Sequence, residues 1–220
     1  MKTALITEGE GEITAIETII KKIGLTDILQ RPLHADLQPK ANPKVIARSA
    51  KGAISLCETR GVGRVIILID AEDNPDPASF VRNLEQAFHE IYYDKKIKFC
   101  VVAKKIMIEN WLISDVLALR QMTGRFDVTM AFERSVTPDK ADSVTDPVAL
   151  LNSIVKNKEY RKGTDPTAIS LKFDPLRASR NSRSFRKFLR EIGVIEYKKQ
   201  SKFPFDSPRL VSARRKSKTP

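Results

Sequence analysis

The residues best suited to do chemistry are four carboxylates, each of which follows a hydrophobic segment. Glu8 comes directly after the first such segment, Asp70 and Glu72 follow the third, and Glu109 lies just beyond the fourth. Carboxylate oxygens suit Mg²⁺ and Mn²⁺, and Mg²⁺ commonly takes one or two of them together with water and substrate phosphate. The pattern therefore predicts a divalent-metal site, with Glu8, Asp70, Glu72 and Glu109 as ligands. Such a site can activate water and stabilise the leaving oxygen of a phosphodiester.

Other acidic residues near these positions have more than one interpretation. Glu10 and Glu12 can stabilise the start of a helix, because negative charge interacts favourably with the helix N-terminus. Asp73 can be a metal ligand or a turn residue. Asp115 lies six positions after Glu109, which is about 240° around a regular helix, so both cannot face one ion and Glu109 is the favoured candidate. The sequence leaves open whether Glu109, Asp73 or Asp115 completes the site.

The elements that must position these carboxylates form an α/β pattern. Strands are predicted at 3–7, 29–34, 65–69 and 97–103, and helices at about 13–23, 44–59, 77–92 and 108–122. Continuous apolar strands are typical of a sheet that is covered on both faces. Four strand–helix units predict a core of about four parallel strands with flanking helices and right-handed crossovers. Parallel strands end at the same edge, where open α/β sheets place their ligands.

The second part of the chain has a weaker pattern. We expect an α/β core over 1–124, a mostly helical extension packed on it over 125–203, and a basic tail over 204–220. Within the extension, a polar loop is predicted at 133–147 and helices at 147–157 and 182–192. The tail offers little to bury, which is typical of disorder.

The positive charge is concentrated near the C-terminus. The chain has a net charge of +12, and residues 176–220 carry 14 basic and 3 acidic side chains, a net of +11. This asymmetry predicts contact with a polyanion, nucleic acid first and an acidic membrane surface second. Lys104 and Lys105 could contact a phosphate near the acids, or be solvated charges. The other candidates, expected on an exposed basic face of the last helix, are Arg183, Arg186, Lys187 and Arg190.

Several classes of protein are disfavoured. No segment of the sequence has the apolar length of a membrane helix and no signal peptide is visible, so we expect a cytoplasmic protein without a membrane partner. Cys57 and Cys100 lack metal-site spacing and are expected to be free thiols. His34 and His89 are too far apart for a convincing histidine site. Neither a zinc motif nor a dinucleotide-binding motif occurs.

With these motifs the chain resembles Toprim-like domains, the catalytic modules of primases, topoisomerases and nucleases of the overcoming-lysogenization-defect type. Those domains carry a glutamate after the first strand and Asp-x-Asp after the third, which match Glu8-Gly9 and Asp70-Ala-Glu72. The chain is similar, over nearly its whole length, to the bacterial family catalogued as domain of unknown function 4276. That similarity rests on Thr7-Glu-Gly-Glu-Gly-Glu12, Ile69-Asp-Ala-Glu-Asp73, Ile108-Glu-Asn-Trp-Leu-Ile-Ser-Asp115, Asp146-Pro147 and Ser184-Phe185. Glu72 in place of aspartate, and Asp73-Asn74 in place of the usual glycine and aspartate, depart from the pattern.

The residues and the resemblance together predict a divalent-metal-dependent nuclease or nuclease-like effector acting on DNA or RNA. Glu8, Asp70 and Glu72 would be its catalytic residues and Mg²⁺ or Mn²⁺ its cofactor. The resemblance alone implies a role in phage defence beside an ATPase partner of the AAA or ABC type. The alternative is a non-catalytic module that binds nucleic acid or a protein partner. The sequence does not determine the oligomeric state.

Overall fold

Four parallel strands form the centre of the protein in the computed structural model, which describes residues 1–72 and 74–194. They are β1 (Thr3–Thr7), β2 (Leu33–His34), β3 (Arg64–Asp70) and β4 (Lys98–Lys104). Their order across the sheet is β2-β1-β3-β4, and each neighbouring pair is parallel. The predicted α/β fold class, a four-stranded parallel sheet with flanking helices, is confirmed.

Helices surround this sheet and continue beyond it. In chain order they are α1 (Glu10–Ile23), α2 (Pro43–Ser49), α3 (Lys51–Thr59), α4 (Pro77–Ile91), α5 (Ile108–Ile113), α6 (Val116–Arg120), α7 (Met130–Val136), α8 (Pro147–Asn152), α9 (Asp165–Lys172), α10 (Pro175–Ser179) and α11 (Arg183–Glu191). A short 3-10 helix at Ala141–Ser143 lies between α7 and α8. None of the helices within the described residues is long and apolar enough to cross a membrane.

Both faces of the sheet are buried, as the unbroken apolar strands predict. Leu5, Ile66 and Val102 contribute to one hydrophobic cluster, together with residues of α1, α5, α6, α9 and α11. Ile6 and Ile67 contribute to a second cluster, with residues of α2, α3 and α4. Successive side chains of a strand point to opposite faces, so each apolar strand supplies both clusters. The first cluster continues without interruption into the helices that follow α6.

Several predicted element boundaries are wrong. The helix expected at 44–59 is two helices, α2 and α3, and the one expected at 108–122 is divided into α5 and α6. Asp115 causes the second division, because its side chain accepts a hydrogen bond from the Ala118 N–H and so begins a new helix. Part of the loop expected at 133–147 is helical. The expected tail, and the extension beyond Val194, lie outside the described residues.

Candidate active site at the carboxyl edge of the sheet

Glu8 and Asp70 are brought together because β1 and β3 are adjacent and end at the same edge. Asp70 is the last residue of β3, and its backbone N–H donates a 2.8 Å hydrogen bond to Oε1 of Glu8. Their side chains are 15% and 23% exposed, so solvent reaches both carboxylates to a limited extent. Two of the predicted catalytic residues therefore form a partly buried pair.

Lys104 ends β4 opposite Asp70 and extends into the same place. Its Nζ donates to the two carboxylate oxygens of Glu12 at 2.6 and 2.8 Å. The same nitrogen lies 2.9 Å from Oδ1 of Asp70 and 3.9 Å from Oε1 of Glu8. The Lys104 side chain is completely buried, so it is not the solvated charge that was one of its two interpretations, and contact with a phosphate stays a prediction. In the structure it binds the carboxyl groups.

Glu12 is the site residue that the sequence analysis missed. It lies in the first turn of α1, as expected of a helix-start glutamate, and it accepts a 3.4 Å hydrogen bond from the Gly9 N–H. However, its carboxylate is buried, and it accepts hydrogen bonds from the Thr7 hydroxyl as well as from Lys104. A β-carbon on Gly9 would lie 3.1 Å from Cγ of Glu12, so the glycine leaves room for this conformation. We call Glu8, Glu12, Asp70 and Lys104 the carboxylate–lysine cluster.

The cluster has three acidic groups and one basic group. The pKa of Glu8 is raised from 4.5 to about 8, because the effects of burial and, second, of the Asp70 charge outweigh the opposing charge of Lys104. Burial also raises the pKa of Asp70. Burial alone would lower the pKa of Lys104, but the charges of Asp70, Glu12 and Glu8 raise it well above its usual value. The ammonium therefore stays protonated and is shared among three carboxyl groups, of which Glu8 keeps its proton below about pH 8.

Glu72 is directed to a different partner. Its backbone has a left-handed φ of 44°, and Oε2 lies 3.0 Å from Nζ of the exposed Lys40. Over residues 1–72 and 74–194, no three histidine, cysteine or acidic side chains are arranged to hold a metal ion. The structure thus pairs Glu8 with Asp70 without the expected convergence of Glu72, because the turn after β3 leads its side chain to Lys40. Asp73 lies outside the described residues.

Glu109 and Asp115 have separate environments. Glu109, in the first turn of α5, is buried and accepts a 3.2 Å hydrogen bond from the Tyr160 hydroxyl. Burial raises its pKa, with a smaller contribution from the charge of Asp70, which places Glu109 within electrostatic range of the cluster. Asp115 is also buried, but it binds the Arg177 guanidinium at 2.7 and 2.8 Å. Asp115 therefore stabilises the fold, and Glu109 is the one beside the cluster.

The expected basic face of α11 is incomplete. Arg183 is exposed, as predicted. Arg186 is only 3% exposed, and its guanidinium donates to both carboxylate oxygens of Asp139, at 2.8 and 3.0 Å. This corrects the expectation that Arg186 is on an exposed face. Arg186 comes directly after the buried Phe185 of α11. The Asp139 carboxylate supplies the opposite charge that a buried guanidinium requires.

The remaining predicted basic residues are partly buried. Lys187 Nζ donates to the carbonyl oxygen of Val101 on the outer strand β4, at 3.2 Å. Arg190 donates to the carboxylate of Glu191 at 2.5 and 2.9 Å. Lys105 is half-buried directly after β4. Of the described part of α11, Arg183 is thus the basic residue with an exposed side chain.

Comparison with known proteins identifies a family but no activity. Residues 7–193 match the family model described as "Domain of unknown function (DUF4276)". No curated protein and no solved structure matches the chain.

Proposed function

This chain belongs to the DUF4276 family, and we propose that it is a divalent-metal-dependent nuclease, or nuclease-like effector, acting on phosphodiester bonds of DNA or RNA. The observation that supports this most directly is the pair of carboxylates, Glu8 and Asp70, at the ends of adjacent parallel strands. Burial and, second, the charge of Asp70 raise the pKa of Glu8, so a divalent cation that replaced the Glu8 proton would relieve the repulsion between the two carboxylates.

The donor set fits Mg²⁺ or Mn²⁺. Mg²⁺ is usually held by one or two carboxylates plus water and substrate phosphate, so the pair suffices without a third acidic ligand. Oδ1 of Asp70 is buried and lies 2.9 Å from the Lys104 ammonium. A carboxylate oxygen has two lone pairs, so one of them remains for a ligand. A bound divalent ion would supply water activation and stabilisation of the leaving oxygen.

The chain's own residues orient this pair. Lys104 holds Glu12 by two hydrogen bonds and lies against Asp70, which limits the rotation of the Asp70 carboxylate. The Asp70 N–H fixes Oε1 of Glu8. Since both contacts come from the ends of rigid strands, the pair is held before any ligand binds. Such preorganisation is what electrostatic catalysis requires.

The wider role is proposed by analogy. A Toprim-like relationship would account for the placement of Glu8 and Asp70 after the first and third strands. By the same analogy, we propose that the protein acts in the cytoplasm, in phage defence, with an AAA- or ABC-type ATPase as partner.

Replacing one ligand tests the nuclease proposal. Asp70→Asn removes the charge with little change in shape. We expect the Mn²⁺ affinity, measured by calorimetry, to fall at least ~10-fold, because even the loss of a residue that only hydrogen-bonds to a metal ligand has an effect of that size. Cleavage of single-stranded DNA, duplex DNA and structured RNA should be lost. Glu10→Gln is the matched control, because Glu10 is 83% exposed and outside the cluster. It should behave as wild type.

The position of Lys104 favours a second candidate function, a non-catalytic binding module. Its ammonium already occupies a place among the carboxylates, so the cluster could be a closed ion-pair network that stabilises a binding surface. A wild-type protein that binds no Mn²⁺ and cuts none of the three substrates, with an ATPase partner present, would replace the nuclease proposal with this one.

A further inference from the structure

A loop between α8 and α9 carries basic side chains that no part of the proposed mechanism uses. Lys156, Lys158, Arg161 and Lys162 are all exposed. In the described part of the chain, no carboxylate oxygen lies within 4.0 Å of their charged nitrogens. We call residues 156–162 the basic loop. Its four cationic side chains against one acidic side chain, Glu159, leave a net charge of +3.

The backbone of the basic loop is fixed although its side chains are in solvent. Arg125 donates from its guanidinium to the carbonyl oxygens of Asn157 and Glu159, the latter at 2.7 Å. The same guanidinium binds the carboxylate of Asp165 at 2.6 and 3.2 Å, and Asp165 accepts from the Arg161 N–H at 2.7 Å. One partly buried ion pair thus holds both ends of the loop. Holding an exposed loop in one conformation costs conformational entropy, so the fixed backbone of this charged loop indicates that the loop has a function.

The basic loop lies beside the carboxylate–lysine cluster. A β-carbon on Gly11, in the first turn of α1, would be 3.5 Å from the carbonyl oxygen of Lys162. Tyr160, within the loop, donates its hydroxyl hydrogen bond to Glu109. The charge of Lys162 also acts on Glu109, lowering its pKa against the effect of burial. The loop therefore borders the site on the side of α1 and α5.

We propose that the basic loop is the surface that binds the phosphate backbone of a nucleic acid next to the cluster. This inference rests on the proposed function and identifies where its substrate is held. The cluster has three acidic groups around one lysine and offers a phosphate no excess of positive charge, so a polyanion needs neighbouring cations to bind there. Lysine and arginine contacts to phosphates position a nucleic acid without reading its bases, so the loop should bind without sequence preference.

The test measures binding separately from cleavage, with EDTA present. A loop variant combines Lys156→Gln, Lys158→Gln, Arg161→Gln and Lys162→Gln, which leaves the backbone bonds to Arg125 and Asp165 in place. A control variant removes four exposed charges from the side of the sheet covered by α2, α3 and α4, with Arg48→Gln, Lys51→Gln, Arg60→Gln and Lys96→Gln. Circular dichroism checks folding, and Lys158→Gln alone serves if the loop variant does not fold.

Fluorescence anisotropy with a single-stranded oligonucleotide over a series of salt concentrations gives the readout. Each lost phosphate contact should reduce the log–log salt slope by about 0.7, so the loop variant should lose up to about 3 units. At 0.1 M salt this corresponds to about fivefold weaker binding per contact. The control variant should retain the wild-type slope. Anionic vesicles should not compete with the oligonucleotide for the protein.

Three results would overturn the inference. They are equal slopes for the loop and control variants, absence of oligonucleotide binding by the wild type, and binding of anionic vesicles in place of oligonucleotides. Because EDTA removes the metal, these outcomes do not depend on catalysis. A wild type that cleaves while the loop variant binds normally would refute the loop alone. Weakened binding by the loop variant without any wild-type cleavage would support the loop and refute the nuclease.

Discussion

Lys104→Met should destabilise the protein strongly, because it leaves the acidic groups of the cluster without the ammonium that they share. Methionine has nearly the length of lysine and fills the same buried space without a charge. The ammonium contacts Glu12 at 2.6 Å and Asp70 at 2.9 Å, and its side chain is completely buried. Removing one partner of a buried ion pair costs about 3–5 kcal/mol, since the remaining charge has no compensation.

For a chain of this size, that loss corresponds to a decrease in Tm of roughly 6–20 °C. Urea unfolding followed by circular dichroism, with EDTA present, measures it as a lower midpoint at an unchanged m-value. Lowering the pH should restore part of the stability, because protonated carboxylates no longer repel one another. Mn²⁺ should stabilise the variant more than it stabilises the wild type, since the added cation replaces the lost charge.

Two further variants make the result specific. Lys105→Met removes a neighbouring, half-buried charge that lies outside the cluster, and it should change stability by less than about 1 kcal/mol. Adding Glu12→Gln to Lys104→Met should recover stability, because it removes one of the uncompensated charges. An unchanged urea midpoint for Lys104→Met would refute the cluster as described. So would a double variant that is less stable than Lys104→Met.

The remaining predictions concern pH and the frame of the site. Because the pKa of Glu8 is raised from 4.5 to about 8, the folded protein binds its proton more tightly than the unfolded chain does, so metal-free stability should fall as pH rises across that interval. The loss of stability is at most ~5 kcal/mol. The urea midpoint of Glu8→Gln should vary less with pH than that of the wild type, and equal pH profiles of the two proteins would contradict the raised pKa. Asp115→Ala should cost about 1.5–3 kcal/mol, because Arg177 keeps only Asp174 as an acidic partner and the Asp174 N–H loses its acceptor, while calorimetric Mn²⁺ affinity stays unchanged. Weakened Mn²⁺ binding by a folded Asp115→Ala protein would place Asp115 in the site after all.

The sheet and its leading carboxylates follow from local sequence. Uninterrupted apolar segments flanked by amphipathic helical patterns predict parallel strands covered on both faces, and β1, β3 and β4 lie within one residue of the expected places. The second strand, expected at 29–34, is limited to Leu33–His34. Once the strands are parallel, residues directly after them must meet at one edge. The side chains of Glu8 and Asp70 can point in few directions there, because each is attached to a strand end that the sheet holds in place. Their pairing was therefore predictable.

The helix breaks and the buried charges were less accessible to sequence analysis. The periodicity of 108–122 continues across Asp115, and the break depends on a capping bond together with Arg177, 62 positions away. Arg186 has the spacing of a solvent-facing residue, but Asp139 lies close enough to neutralise it inside the fold. A long cationic side chain can point outward or inward, and only a distant countercharge decides which.

The sequence by itself determined the parallel sheet, the edge at which the site lies and the two carboxylates Glu8 and Asp70, because these depend on periodicity and strand direction. Tertiary structure decided the partners. Lys104 and Glu12 are 92 positions apart, and no pattern in the sequence indicates that they pair. Glu72 had the expected spacing, but the turn after β3 leads it to Lys40. A flexible charged side chain goes where opposite charge and burial balance, and that balance exists only after the chain has folded.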